Sequence, residues 1–208
     1  MPNIIVTSGG FNDVNNYVSD ENRELFKKIA EGKRVLIIAN AAPEGTGNYI
    51  ARENVKENFL KVGATKVDIL DVNQDNVSEI LNYDVVYGLG GDIGLLIKLN
   101  QDTDFKSVLL EFLKTGVYIG ESAGSMILAD SVKYAYDIKK GTKPKYDVIL
   151  PTYEGLGLID IYIYPHFQKA KEEMIVKTSN YEKENNITIT RLSDGDVIFY
   201  DYVNRKDR

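Results

Sequence analysis

The chain has 208 residues, a formal net charge of -6 and a pI near 5.0, with 43% hydrophobic and 27% charged residues. That balance suits one soluble globular domain with a substantial core spanning residues 1–208, and the acidic surface argues against a general nucleic-acid or anionic-membrane binder, which needs a basic face. There are no cysteines, which excludes disulfides, thiolate metal sites and a cysteine nucleophile in one step.

The first residues, MPNIIVTSGGF, show no basic stretch followed by a long apolar one, so no secretory signal is expected. No apolar run approaches the roughly 20 residues of a membrane-spanning helix. A cytoplasmic location is the simplest expectation.

In chain order, NIIVTS (3–8), RVLIIANA (34–41), KVDILDV (66–72), DVVYGLG (84–90) and GVYIG (116–120) read as strands. Several are apolar nearly throughout, as strands buried on both faces are. Between them, ENRELFKKIAEG, YIARENVKENFLKVG, DNVSEILN and DFKSVLLEFLKTG space their apolar residues three and four apart, as helices do. This alternation predicts an α/β fold with a mainly parallel sheet flanked by helices on both faces. The polar, Lys-rich stretch 130–147, broken by Gly141 and Pro144, reads as an extended loop or short hairpin. A strand near IDIYIYP and a helix across KAKEEMIVKTSNYEKEN follow. ITITRL and DVIFYDYV, joined by the turn signal SDG, predict a C-terminal antiparallel hairpin.

The junction VYIGESAGSMIL (117–128) carries the sharpest chemical signal. Gly120, Ser122 and Gly124 form G-x-S-x-G between a strand and a helix, the pattern of a nucleophile elbow that exposes a serine hydroxyl. A plain strand-to-helix turn would also favour small residues there. A serine nucleophile needs a base, and the only histidine is His166, just past another strand candidate. Backbone N–H groups for an oxyanion are offered by Ala123 and by the GLGGD loop, 88–92. No G-K-[ST] follows that loop and G-x-G-x-x-G is absent, so a nucleotide site is weakly supported. Tyr134, Tyr136, Tyr162 and Tyr164 flank these positions. The alternation in IYIY reads as one face of a strand rather than a substrate platform.

Taken together, TSGGF, GLGGDIGLLIKL, IGESAGSMIL and PHF, in that order, resemble the peptidase E family of serine peptidases. That family includes aspartyl dipeptidases and cyanophycinases and has a fold related to class I glutamine amidotransferases. The resemblance covers most of the chain. It implies Ser122 as nucleophile, His166 as general base, and the N–H groups of Gly91 and Ala123 as oxyanion hole. Two positions fit the family's third, acidic member. Asp137 has the 15-residue spacing from the serine found in aspartyl dipeptidases and is favoured for that reason. Asp194, in RLSDGDV, matches the position of the cyanophycinase glutamate and is the alternative.

Glu121 and Asp92 are acids near the site. Glu121 should point away from Ser122 as a supporting or pocket group. Asp92, standing where the family has Asn, either points into the pocket, where it would disfavour an acidic substrate group, or points outward and caps the next helix, the favoured reading. The arginine by which aspartyl dipeptidases hold an acidic substrate side chain has no counterpart here. Lys169 and Lys171 are the cations in that region, and lysine cannot reproduce bidentate binding.

The expected function is hydrolysis of short peptides by a Ser-His-Asp mechanism, possible without metal or cofactor. The partner is a small peptide, with no nucleic acid or membrane involved. A homodimer is compatible with the sequence, which does not demand one. The alternatives are an esterase or amidase with the same residues, or a ligand-binding homologue without activity. A glutamine amidotransferase proper is excluded by the missing cysteine.

Overall fold

Alternation of apolar side chains along each buried strand decides the layering. The computed structural model describes residues 2–11, 18–46, 48–138 and 150–202. Its strands are β1 Ile4–Thr7, β2 Arg34–Ile38, β3 Lys66–Leu70, β4 Val85–Gly88, β5 Val117–Glu121, β6 Tyr162–Tyr164, β7 Ile189–Arg191 and β8 Val197–Tyr200. Six of them form one sheet in the order β3-β2-β4-β5-β1-β8, parallel throughout except for β8, which runs antiparallel to β1.

On one face Ile5, Val35, Ile37, Tyr87 and Ile119 pack with Phe26 of α1 (Asp20–Ala30) and with Val55 and Phe59 of α2 (Tyr49–Lys61). On the other, Ile4, Val6, Leu36, Ile38, Val86 and Tyr118 pack with Leu96 and Ile97 of α3 (Ile93–Asp102). Leu109 and Phe112 of α4 (Phe105–Phe112) and Met126 of α5 (Ala123–Met126) complete that layer. Each such large side chain, taken fully out of water, stabilises the fold by about 1.5–3 kcal/mol. This is the mainly parallel sheet with helices on both faces that the alternating pattern predicts.

The helix boundaries follow local chemistry. Ser19 caps α1 by accepting from Asn22 N–H, and the first turn carries Asp20 and Glu21 while the last carries Lys27 and Lys28, as the helix dipole favours. The stretch expected as the third helix, over 75–82, is a 3₁₀ helix, Val77–Asn82, short and without a side-chain cap. Within 130–147, read as a loop or hairpin, Lys133–Ile138 forms a short helix, α6; residues 139–147 of that stretch lie outside those described.

The C-terminal strands do not pair with each other. The turn expected at 193–195 is present, with Asp196 N–H donating to Ser193 O at 2.9 Å, but it passes the chain from one sheet to another. β7 pairs in parallel with β6 in a separate two-stranded sheet, and the antiparallel pairing at this end of the chain is β8 with β1. β1 is buried at all four positions and would be an edge without β8, leaving its backbone groups unpaired. β8 removes that edge. α7 (Glu172–Asn185) lies between β6 and β7 in sequence and packs against α6. No helix among the described residues is long and apolar enough to cross a membrane.

Candidate active site

Ser122 stands at the carboxyl end of β5, where an open α/β sheet gathers its functional groups. Its backbone takes φ 48, ψ -108, outside the regions L residues ordinarily occupy, at a cost on the order of 1–3 kcal/mol. The turn is held by Ser122 N–H donating to Thr7 O at 3.1 Å, and by Ser125 and Met126 N–H donating back to Ser122 O at 3.0 and 2.9 Å. A Cβ on Gly124 would lie 2.0 Å from Gly88 O and one on Gly120 2.6 Å from Gly124 O, so neither glycine of the elbow has room for a side chain. The helix that follows, α5, is only four residues long, and its dipole is correspondingly small.

His166 follows β6 in the left-handed region, φ 56 and ψ 32. Its Nε2 lies 3.1 Å from Ser122 Oγ, and its Nδ1 is hydrogen-bonded to Asp194 Oδ1. With Nδ1 carrying the proton toward the carboxylate, Nε2 is left as the acceptor for the serine hydroxyl. The backbone N–H of His166 donates to Ser8 Oγ at 2.7 Å, and the Ser8 hydroxyl donates to Asp194 Oδ1 at 3.3 Å. Ser8 is completely buried, at the end of β1. Sequence reasoning missed it; the available signal was a polar Thr-Ser pair closing an otherwise apolar strand.

Asp194 lies in the turn between β7 and β8 and is buried. Burial pushes its carboxyl up, but the Lys169 ammonium and the hydrogen bond from His166 outweigh that and hold it below the usual range. Lys169 Nζ stands 2.8 Å from Oδ2.

Asp137, favoured by its spacing, is not the residue at the imidazole. It lies near the end of α6, where Oδ2 accepts from Lys133 Nζ at 2.5 Å and from the Tyr181 hydroxyl of α7 at 3.1 Å. The packing of α6 on α7 sets that direction, and both nitrogens of His166 have other partners.

The double glycine lies against the serine: a Cβ on Gly90 would stand 3.1 Å from Ser122 Cβ. Gly91 has φ 141, and a Cβ there would meet Ala41 O at 2.1 Å, so only glycine fits. Asp92 N–H fixes the loop by donating to Ala41 O at 2.8 Å. Ala123 opens α5, where first-turn N–H groups lack intrahelical acceptors.

Asp92 caps α3, accepting from Gly94 N–H at 2.7 Å. Glu121 is buried on the sheet face of Tyr87, whose hydroxyl donates to Oε2 at 2.7 Å while accepting from Phe11 N–H at 2.8 Å. Burial, and then the neighbouring Glu121, push the Tyr87 hydroxyl well up, so it stays a donor. Tyr134 braces β6 by donating to Ile163 O and accepting from Ile163 N–H, with the Tyr162 ring 5.2 Å away. Among the described residues no group of three His, Cys, Asp or Glu is placed to hold a metal ion.

Residues 4–203 match the family model of peptidase family S51. The chain therefore belongs to that family. It is 26% identical over 204 residues to the uncharacterized peptidase Lmo0363 of Listeria monocytogenes, covering 96% of this chain and 94% of that one. It is 28% identical over 120 residues to the uncharacterized peptidase PM1590 of Pasteurella multocida, covering 55% and 56%. Among solved structures it resembles a Listeria monocytogenes EGD-e protein named for peptidase E, with TM-score 0.73, 26% identity and coverage of 96% and 94%. A peptidase from an acI-B1 Actinobacterium shares the fold at TM-score 0.59 and 20% identity, with coverage of 84% and 73%.

Proposed function

We propose that this member of peptidase family S51 is a serine-type peptidase acting on short peptides, with Ser122 as nucleophile, His166 as general base and Asp194 as the acid that orients the imidazole. The observation that carries the reading is the unbroken line of polar contacts from Ser122 Oγ through His166 to Asp194. Asp194 takes the third place, ahead of Asp137, because its Oδ1 is the partner of Nδ1.

In this mechanism Ser122 Oγ attacks the scissile carbonyl as Nε2 takes its proton. The Nδ1–H of the resulting imidazolium stays on Asp194, which stabilises that charge without taking the proton. The tetrahedral oxyanion rests on the N–H groups of Gly91 and Ala123. Nε2 then passes its proton to the leaving amine, and a water activated in the same way releases the acyl group. No group beyond these is used.

The test is labelling by a fluorophosphonate, which reacts with an activated serine. The wild-type protein is expected to be labelled, and Ser122→Ala and His166→Ala to lose the label. Undiminished labelling of Ser122→Ala would refute the assignment. A panel of short peptides against esters and simple amides then decides between a peptidase and another serine hydrolase.

A further inference from the structure

We propose that Lys169 is a positioning residue of this site, whose ammonium holds the Asp194 carboxylate for His166 instead of binding substrate. The inference rests on the reading above. Lys169 Nζ lies 2.8 Å from Asp194 Oδ2, while Oδ1 faces His166 Nδ1 and the Ser8 hydroxyl. The two carboxylate oxygens are thus claimed from different sides, and a rotation that swings Oδ1 off the imidazole also breaks the lysine contact. Only 8% of the Asp194 side chain is exposed, so bulk water is a poor substitute partner for Oδ2. The Lys169 side chain is 48% exposed, and a pair this wet adds little to global stability. Its effect is on orientation and charge.

The backbone builds the placement. Lys169 closes the 3₁₀ turn Phe167–Lys169, and its N–H donates to His166 O at 2.9 Å. His166 precedes this turn and Lys169 closes it, and both side chains reach the same carboxylate. The groups facing Asp194 are His166 and Lys169 from this turn and the non-titrating Ser8 hydroxyl from the end of β1. On its own turn, Asp196 is directed at Ser193 N–H, 2.6 Å away.

The sign follows from shared charge. The ammonium helps to hold the Asp194 carboxyl below its usual range, and a carboxyl relieved of Lys169 protonates at higher pH. Loss of Lys169 therefore raises the pH at which the carboxylate facing Nδ1 is lost.

The experiment is the rate of labelling by a neutral fluorophosphonate across pH 3 to 8, for wild type, Lys169→Met and Lys169→Arg. Lys169→Met is expected to lower the maximal rate about tenfold, with the probe's apparent affinity unchanged, and to move the acid limb to higher pH. Lys169→Arg, which can also donate to the carboxylate, is expected to restore most of both. A lysine serving an acidic substrate would leave the neutral probe's rate and pH profile untouched in Lys169→Met, and that result overturns the proposal. Absence of wild-type labelling, or its survival in Ser122→Ala, would instead sink the serine mechanism and this proposal with it. The chain has one histidine, so the Nδ1–H proton of His166 can also be followed alone by NMR. It should be far downfield in wild type and Lys169→Arg and lost to exchange in Lys169→Met; an unchanged signal in Lys169→Met counts against the proposal.

Discussion

His166 and Asp194 meet because β6 and β7 leave their small sheet side by side in the same direction. Tyr164 is in register with Arg191. Beyond the strand ends the pairing continues, with Leu192 N–H donating to Tyr164 O and Phe167 N–H to Leu192 O, each at 3.0 Å. Histidine and aspartate therefore emerge as neighbours although 28 residues separate them in the chain.

This relationship separates the two candidate acids. Asp194→Asn is expected to slow fluorophosphonate labelling by a factor on the order of 10⁴, the scale found when the acid of a serine triad is neutralised. Asp137→Asn loses an ion pair whose lysine is 57% exposed and should change stability by no more than about 0.5 kcal/mol. Its labelling rate should match wild type. The reverse ranking of the two rates would return the third place to Asp137.

The charge of Asp194 makes a pH-dependent contribution to stability. Its folded-state value lies below the ordinary one, so its contribution is complete above the unfolded-state pKa of about 3.9 and fades as pH falls through the folded value. Asp194→Asn should be less stable than wild type in urea at pH 7, and the gap should begin to close below about pH 4. A gap that stays constant into that range would assign the effect to packing rather than charge.

Ser122 holds a positive φ that a glycine adopts freely. Ser122→Gly should therefore be more stable than Ser122→Ala by about 1 kcal/mol, while neither is labelled. Urea midpoints of the two variants measure it, and equal midpoints would mean that the elbow stores no strain.

Ser8 is the support that ties β1 to the site. Ser8→Ala removes the acceptor of His166 N–H and one donor to Asp194, which should cost about 1–3 kcal/mol of stability. The labelling rate should fall about tenfold as the imidazole loses its anchor. Loss of stability with an unchanged rate would make Ser8 a purely structural residue.

Much of this arrangement is legible in the chain because it depends on local geometry. Continuous apolar runs mark strands buried on both faces, and their alternation with helical patterns marks a parallel sheet. Gly120, Ser122 and Gly124 announce a tight elbow because the turn, close to Gly88 O and Ser125, tolerates nothing larger. The double glycine at 90–91 is legible for the same steric reason, and His166 stands out by being alone.

What local signals could not decide was which distant segments become neighbours. The turn 193–195 says that the chain reverses, but not that β7 will join β6 while β8 covers the edge of β1. A spacing of 15 residues from Ser122 says nothing of the direction α6 turns Asp137, which the packing against Tyr181 of α7 determines. Sequence by itself determined the sheet's class, the elbow and the only histidine available. Tertiary structure alone decided the acid, Ser8 and Lys169, because hydrogen bonds are chosen by proximity in space and burial removes the water that would otherwise replace them.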